Sequence, residues 1–137
     1  MLLLVSCQGN VVYHHYEPVD GQGWSQSDTL RFHLPPAPHT GTYHLQLALR
    51  YGPDFPYCNV AVAVALSAPR ADTLLIPLAS PDGKPLGRGV GLLHTAVPLA
   101  MLHLHQGDHP TVTLHHIMRR EILPSVREVG IRMTAEE

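Results

Sequence analysis

The chain has 137 residues, enough for one domain with a hydrophobic core of its own. Apolar residues make up 45% and charged residues 15%, a balance that excludes a disordered chain. The formal net charge is -2, Lys84 is the only lysine, and no basic run marks a nucleic-acid or anionic-membrane surface.

The N-terminus carries the most specific local signal. Met1 to Ser6 form an apolar run closed by Cys7, and Leu4-Val5-Ser6-Cys7 reads as a bacterial lipobox. The peptidase that cuts before the cysteine needs small neighbours, and the thiol receives the diacylglycerol. Each buried methylene of the acyl chains then contributes about 0.8 kcal/mol of membrane affinity. Residues 1–7 are therefore read as a truncated signal peptide ending in a lipidated Cys7. Six uncharged residues precede it, fewer than a full leader needs. The competing reading is an ordinary first strand with a buried cysteine.

Residues 8–27 are polar, with aromatics at Tyr13, Tyr16 and Trp24. They are read as a tether that ends as an edge strand. From residue 28 to 137 a period-two pattern takes over, and the thirteen prolines of the chain argue against long helices. Leu30, Phe32 and Leu34 alternate with Arg31 and His33, until Pro35-Pro36 breaks the run. Tyr43, Leu45, Leu47, Leu49 and Tyr51 alternate with polar or small residues, the pattern of a half-buried strand. Asn59 to Leu66 sets valines against alanines and reads as a central strand buried on both faces. Leu74, Ile76 and Leu78 form the next strand, and Pro81-Asp82-Gly83 a turn. Val90 to Val97, Ala100 to His105 and Thr111 to Met118 are further strands. Arg119 to Leu123 suggests one helical turn before Pro124. Val126 to Thr134 closes the fold with Val129, Ile131 and Met133 inward. The expected fold is all-β: a single sandwich of about eight strands, immunoglobulin-like or jelly-roll-like.

Candidate chemistry is sparse. Gly87-Arg88-Gly89-Val90-Gly91 lacks the third glycine and following helix of a dinucleotide loop, so it reads as a bend. His103 and His105 share a strand face, with Asp108, His109, His115 and His116 nearby in sequence, a mixed nitrogen and oxygen ligand set for a metal. Leu102 and Leu104 face the other way, so the same histidines also fit a solvated strand face. Cys58 shares its parity with Val60 and Val62 and reads as a buried, inert thiol. Arg50, Tyr57, Asn59, Met118 and Arg119 sit at strand ends that can converge at one edge of a sandwich. They are the candidates for a partner-binding patch, or for side chains that only fix the sheet ends. No catalytic residue, resident metal or cofactor is predicted.

Several stretches resemble the GldH-type gliding-motility lipoproteins of Bacteroidetes. Val11-Val12-Tyr13 follows the lipid cysteine, and then come Trp24, Asp28 and Phe32. The Tyr43 to Arg50 strand, Phe55-Pro56-Tyr57-Cys58-Asn59, Asp72 with Leu74, and Leu86-Gly87-Arg88-Gly89 follow in order. Met118 to Leu123 and Val129-Gly130-Ile131-Arg132 resemble the closing signature. Cys58 stands where the family usually has serine. The resemblance implies a non-enzymatic lipoprotein of the cell envelope, held to a membrane by its lipid. It also implies a role in gliding or in associated envelope and secretion machinery, through other proteins and not through nucleic acid. The uncharged Gln8-Gly9-Asn10-Val11-Val12 suggests retention facing the periplasm. The alternative is an envelope lipoprotein that binds a metal or small ligand through its histidine-rich strands.

Overall fold

Successive side chains of an extended chain point to opposite faces. Tyr43, Leu45, Leu47, Leu49 and Tyr51 therefore enter the interior together, and all five are buried. The computed structural model describes residues 10–67 and 72–136. Cys7, the expected lipidation site, lies outside the described residues. The strands are β1 (Asn10–Pro18), β2 (Trp24–Ser25), β3 (Leu30–His33), β4 (Gly41–Tyr51), β5 (Asn59–Leu66), β6 (Asp72–Pro77), β7 (Leu93–Leu104), β8 (Thr111–His116), β9 (Ile122–Leu123) and β10 (Val126–Ala135).

They form two four-stranded sheets, β1-β10-β4-β7 and β3-β8-β5-β6, with β2 and β9 paired as a short separate ribbon. Every pairing is antiparallel. In the first sheet β1 and β10, from the two ends of the described chain, lie beside β4 and β7 from its middle. The second sheet repeats this interleaving with β3 and β8 beside β5 and β6. That order is the jelly-roll arrangement, so of the two sandwich types expected it is the jelly roll that forms. The inner faces share one core: Leu45, Leu47, Ile131 and Met133 from the first sheet meet Phe32, Val62, Ile76 and Leu114 from the second. Residues 10–18, the stretch read as tether and edge, form β1 along one edge of the first sheet.

Three local expectations are corrected. Val90–Val97 and Ala100–His105 are not two strands. β7 runs unbroken past Pro98, because it is an edge strand and a proline there interrupts no second ladder. Leu45 pairs with Ala100 and Gln46 with Pro98, leaving Leu99 as the extra residue of a bulge. Arg119–Leu123 makes no helical turn; Ile122 and Leu123 are extended and pair with Ser25 and Trp24. The Glu121 carbonyl accepts from the Gln26 N–H at 2.7 Å, which ties the segment to β2 rather than to its own next turn. Finally, β5 is central in its sheet, but its alanine face is only half-buried, so one face alone lies in the core.

Candidate functional site

The outward residues of the first sheet form cross-strand rows. Antiparallel pairing aligns Glu128, Arg50 and His94, and the His94 backbone pairs onward with Arg88, so these four side chains share one row. The next row is Tyr16, Gly130, Ala48 and Ala96. A third holds His14, Arg132, Gln46 and Pro98. The middle row is small except for Tyr16, so it sinks between two polar walls. Gly130 is needed there, since a Cβ on it would come within 2.7 Å of the Tyr16 ring.

Arg50 is anchored in this face. Its Nη1 donates to Glu128 Oε1 at 2.7 Å, and its guanidinium carbon lies 4.0 Å from the Tyr16 ring centroid. The hydrogen bond to Glu128 raises the Arg50 pKa further, so the charge is permanent. Arg132 donates to the Gln46 side-chain oxygen at 3.2 Å. Between them the His14 imidazole is pushed below its ordinary pKa, first by partial burial and then by the charges of Arg132 and Arg50. An arginine lines each of two recesses on this face. One recess of about 310 Å³ is lined by Tyr16, Leu86, Arg88, His94, Thr95 and Ala96. A second, of about 640 Å³, lies where the Leu99 bulge opens the sheet beside Gln46, Pro98, Met101 and Arg132.

The other sequence candidates lie elsewhere. Tyr57 stacks edge-on against Phe55, and Asn59 starts β5 opposite Pro77. The Met118 sulfur accepts the Ala61 N–H at 3.3 Å, and Arg119 is exposed in the turn after β8. These four belong to the second sheet and its margins. Arg50 points outward from the first sheet, so the five residues do not share a surface. Alanine at Arg50 is expected to cost about 1 kcal/mol in urea unfolding, because the ion pair and ring contact are both partly exposed to solvent.

The histidine set divides in the same way. β7, with His103, belongs to the first sheet, and β8, with His115 and His116, to the second. His103 bonds Thr42, while His116 points into the core. Among the described residues no three His, Cys, Asp or Glu side chains gather as a ligand set. Cys58 is exposed rather than buried, with its sulfur 3.6 Å from the Ser80 carbonyl oxygen. β5 begins one residue later, so the strand parity that suggested burial does not reach it.

His116 is buried in the core and makes three hydrogen bonds. Its Nε2 lies 2.9 Å from the Trp24 carbonyl and 3.2 Å from that of Glu121, and the Met118 N–H donates to Nδ1 at 3.2 Å. Carbonyls only accept, so Nε2 carries the proton and the ring is neutral. This bonding builds the 116–121 turn from within.

The profile of the GldH lipoprotein family matches residues 11–133. The chain belongs to that family. It is 34% identical over 92 residues to the gliding motility lipoprotein GldH of Flavobacterium johnsoniae, covering 64% of this chain and 57% of the relative. It is 28% identical over 95 residues to a GldH homolog of Christiangramia forsetii, covering 66% and 57%. The chain thus spans little more than half the length of these relatives. Among solved structures, a 4-O-methyl-α-glucuronidase with specificity for decorated arabinogalactans superposes over 100% of this chain and 19% of its own, with a TM-score of 0.54 and 9% identity. That likeness shows the fold alone. Membership of a lipoprotein family implies anchoring to a membrane of the envelope, and the family carries no known catalytic role.

Nothing in the sequence marks Tyr16, Arg88 and Arg132 as residues of one face. Nothing local in the sequence shows that Tyr16 lies beside Gly130.

Proposed function

We propose that the protein is a lipid-anchored, non-catalytic interaction module that faces the periplasm and supports gliding or associated secretion machinery by docking another envelope protein. The observation that carries this reading is the set of apolar side chains exposed at the two ends of β7, Leu86 and Val90 in the loop before it and Met101 near its far end. Val90 is 101% exposed, Met101 59% and Leu86 52%. Gly89 and Gly91, both at positive φ, flank Val90 and hold it at the tip of its loop. A Cβ on Gly89 would collide with the Leu92 carbonyl, so the loop shape is fixed by glycine. Apolar groups held outward in this way favour contact with another surface. Arg50 supports the face through Tyr16, whereas Met118 ties the turn after β8 to β5 by accepting the Ala61 N–H.

Val90→Asp, expressed in the host in place of the chromosomal copy, is expected to keep its melting temperature and to lose motility or secretion. Full complementation by that variant would overturn the reading. Anchoring has its own check. Labelled palmitate is expected to enter the full-length protein with its natural leader and to be absent from Cys7→Ser; equal labelling of the two would refute lipidation at Cys7.

A further inference from the structure

We propose that the outer face of the β1-β10-β4-β7 sheet docks an acidic polypeptide segment of a partner protein. This rests on the interaction reading above and adds the chemistry of the partner. The argument starts from charge. Among the described residues two carboxylates lie on this face: Glu128 is paired with Arg50 at 2.7 Å, and Glu136 lies 2.7 Å from the His44 imidazole. Among the described residues Arg132 bonds a neutral amide oxygen, and neither Arg132 nor Arg88 makes an ion pair. Two guanidinium groups therefore stand without carboxylates on opposite sides of the small-residue trough. The whole chain carries -2, so this is a local excess set against an acidic background. Planar guanidinium groups suit carboxylates, which they can bind through two parallel hydrogen bonds.

The surroundings of the two arginines select a polypeptide over an acidic polysaccharide. Leu86 lines the recess with Arg88, and Pro98 and Met101 line the recess with Arg132. Exposed apolar side chains beside each cation match a partner that brings apolar side chains next to its carboxylates. Methionine and arginine are the residue types enriched where proteins meet proteins. Tyr16 is the aromatic ring of the trough, and Arg50 lies over its face, which leaves that face closed to a stacked sugar ring.

Geometry sets the length of the segment. Arg88 lies three strand spacings from β10, and Arg132 lies four residues along β10 from Glu128, the residue in Arg88's row. With strands about 4.8 Å apart and about 3.3 Å per residue, the two cations are roughly 20 Å apart across the face. An extended segment of about six residues covers that span, with a carboxylate toward each end.

The test uses the folded protein without a histidine tag and three probes: poly-L-glutamate, poly-L-lysine and polygalacturonate. At low salt, titration calorimetry is expected to show binding of poly-L-glutamate and none of poly-L-lysine. Arg88→Gln with Arg132→Gln is expected to weaken that binding about tenfold, equivalent to about 1.4 kcal/mol. Arg31→Gln removes the same charge from the outer side of β3 and is expected to change nothing. All three positions are exposed or half-exposed, and equal melting temperatures establish that the variants fold. Absence of poly-L-glutamate binding overturns the proposal, as does equal weakening by Arg31→Gln. Tighter binding of polygalacturonate with the same sensitivity overturns the polypeptide assignment. Full complementation in cells by the double arginine variant, beside loss of function in Val90→Asp, overturns the acidic docking while the interaction reading survives.

Discussion

His116→Ala is expected to lower stability by about 3 kcal/mol and the melting temperature by roughly 10 °C. The imidazole is fully buried and bonds two carbonyl oxygens and one N–H, from Trp24, Glu121 and Met118. Truncation removes this partner from the buried Trp24 carbonyl and the part-buried Met118 N–H, while the Glu121 carbonyl keeps the Gln26 N–H, and each buried group left unpaired costs about 1–3 kcal/mol before local relaxation. The ring also packs edge-on against Trp24, with centroids 5.4 Å apart, and that contact goes too. Urea unfolding measured by circular dichroism checks the value. A loss under 1 kcal/mol would mean that the 116–121 turn holds itself without the histidine.

The same residue makes stability depend on pH. Burial lowers the His116 pKa in the folded chain, and the two carbonyl hydrogen bonds only partly oppose it. An exposed histidine in the unfolded chain titrates near about 6.5. The stabilisation from a neutral His116 is therefore complete above that value. It is lost progressively as the pH falls below it toward the depressed folded value, since the unfolded chain takes up the proton first. His14, depressed by burial and by Arg132 and Arg50, acts in the same direction. Unfolding experiments between neutral and mildly acidic pH are expected to show falling stability for the wild type and a shallower fall for His116→Ala. Equal slopes would show that His116 is not the group responsible.

The strands that read clearly were those where one face is buried and the other wet. In β4 and β10 alternation alone identifies the inward side chains, and Arg50 and Arg132 point outward as their parity requires. Sequence reasoning failed where the third dimension supplies the partner. Pro98 looks like a strand break until β7 is known to be an edge. Arg119 to Leu123 looks like a helical turn until Trp24 and Ser25 are known to pair with it. The histidines at 103 and 116 look like near neighbours, yet the chain crosses from one sheet to the other between them. The site was less legible still. A cross-strand row such as Tyr16, Gly130, Ala48 and Ala96 draws on four strands far apart in sequence, and only register brings it together. Arg50 was found because its strand is strongly periodic, but its partners Tyr16 and Glu128 lie on β1 and β10.

Trp24→Ala is expected to be the most damaging single change, at about 4 kcal/mol. The segment around this residue, Gly21-Gln22-Gly23-Trp24-Ser25-Gln26-Ser27-Asp28, has no apolar rhythm, and an indole in it resembles a surface group. The structure buries it completely. Its carbonyl accepts from His116, its indole N–H donates to the Asp28 carbonyl at 3.0 Å, and its strand pairs with Leu123. Gly23 lets the chain approach this closely, because a Cβ there would run into the Leu123 carbonyl. The β2–β9 ribbon thus uses the indole to join the segment before β3 to the segment before β10. Alanine removes the largest side chain in the core and leaves a cavity that strands fixed by their ladders cannot close. Trp24→Phe keeps most of the volume and loses the N–H, so it is expected to cost about 1–2 kcal/mol, mainly from the unpaired Asp28 carbonyl. Trp24 is the only tryptophan, so its buried environment is expected to give wild-type protein a blue-shifted fluorescence that moves red on unfolding. Circular dichroism in urea serves for both variants. Equal losses in the alanine and phenylalanine variants would show that the N–H bond, rather than the filled volume, is what the fold requires of Trp24.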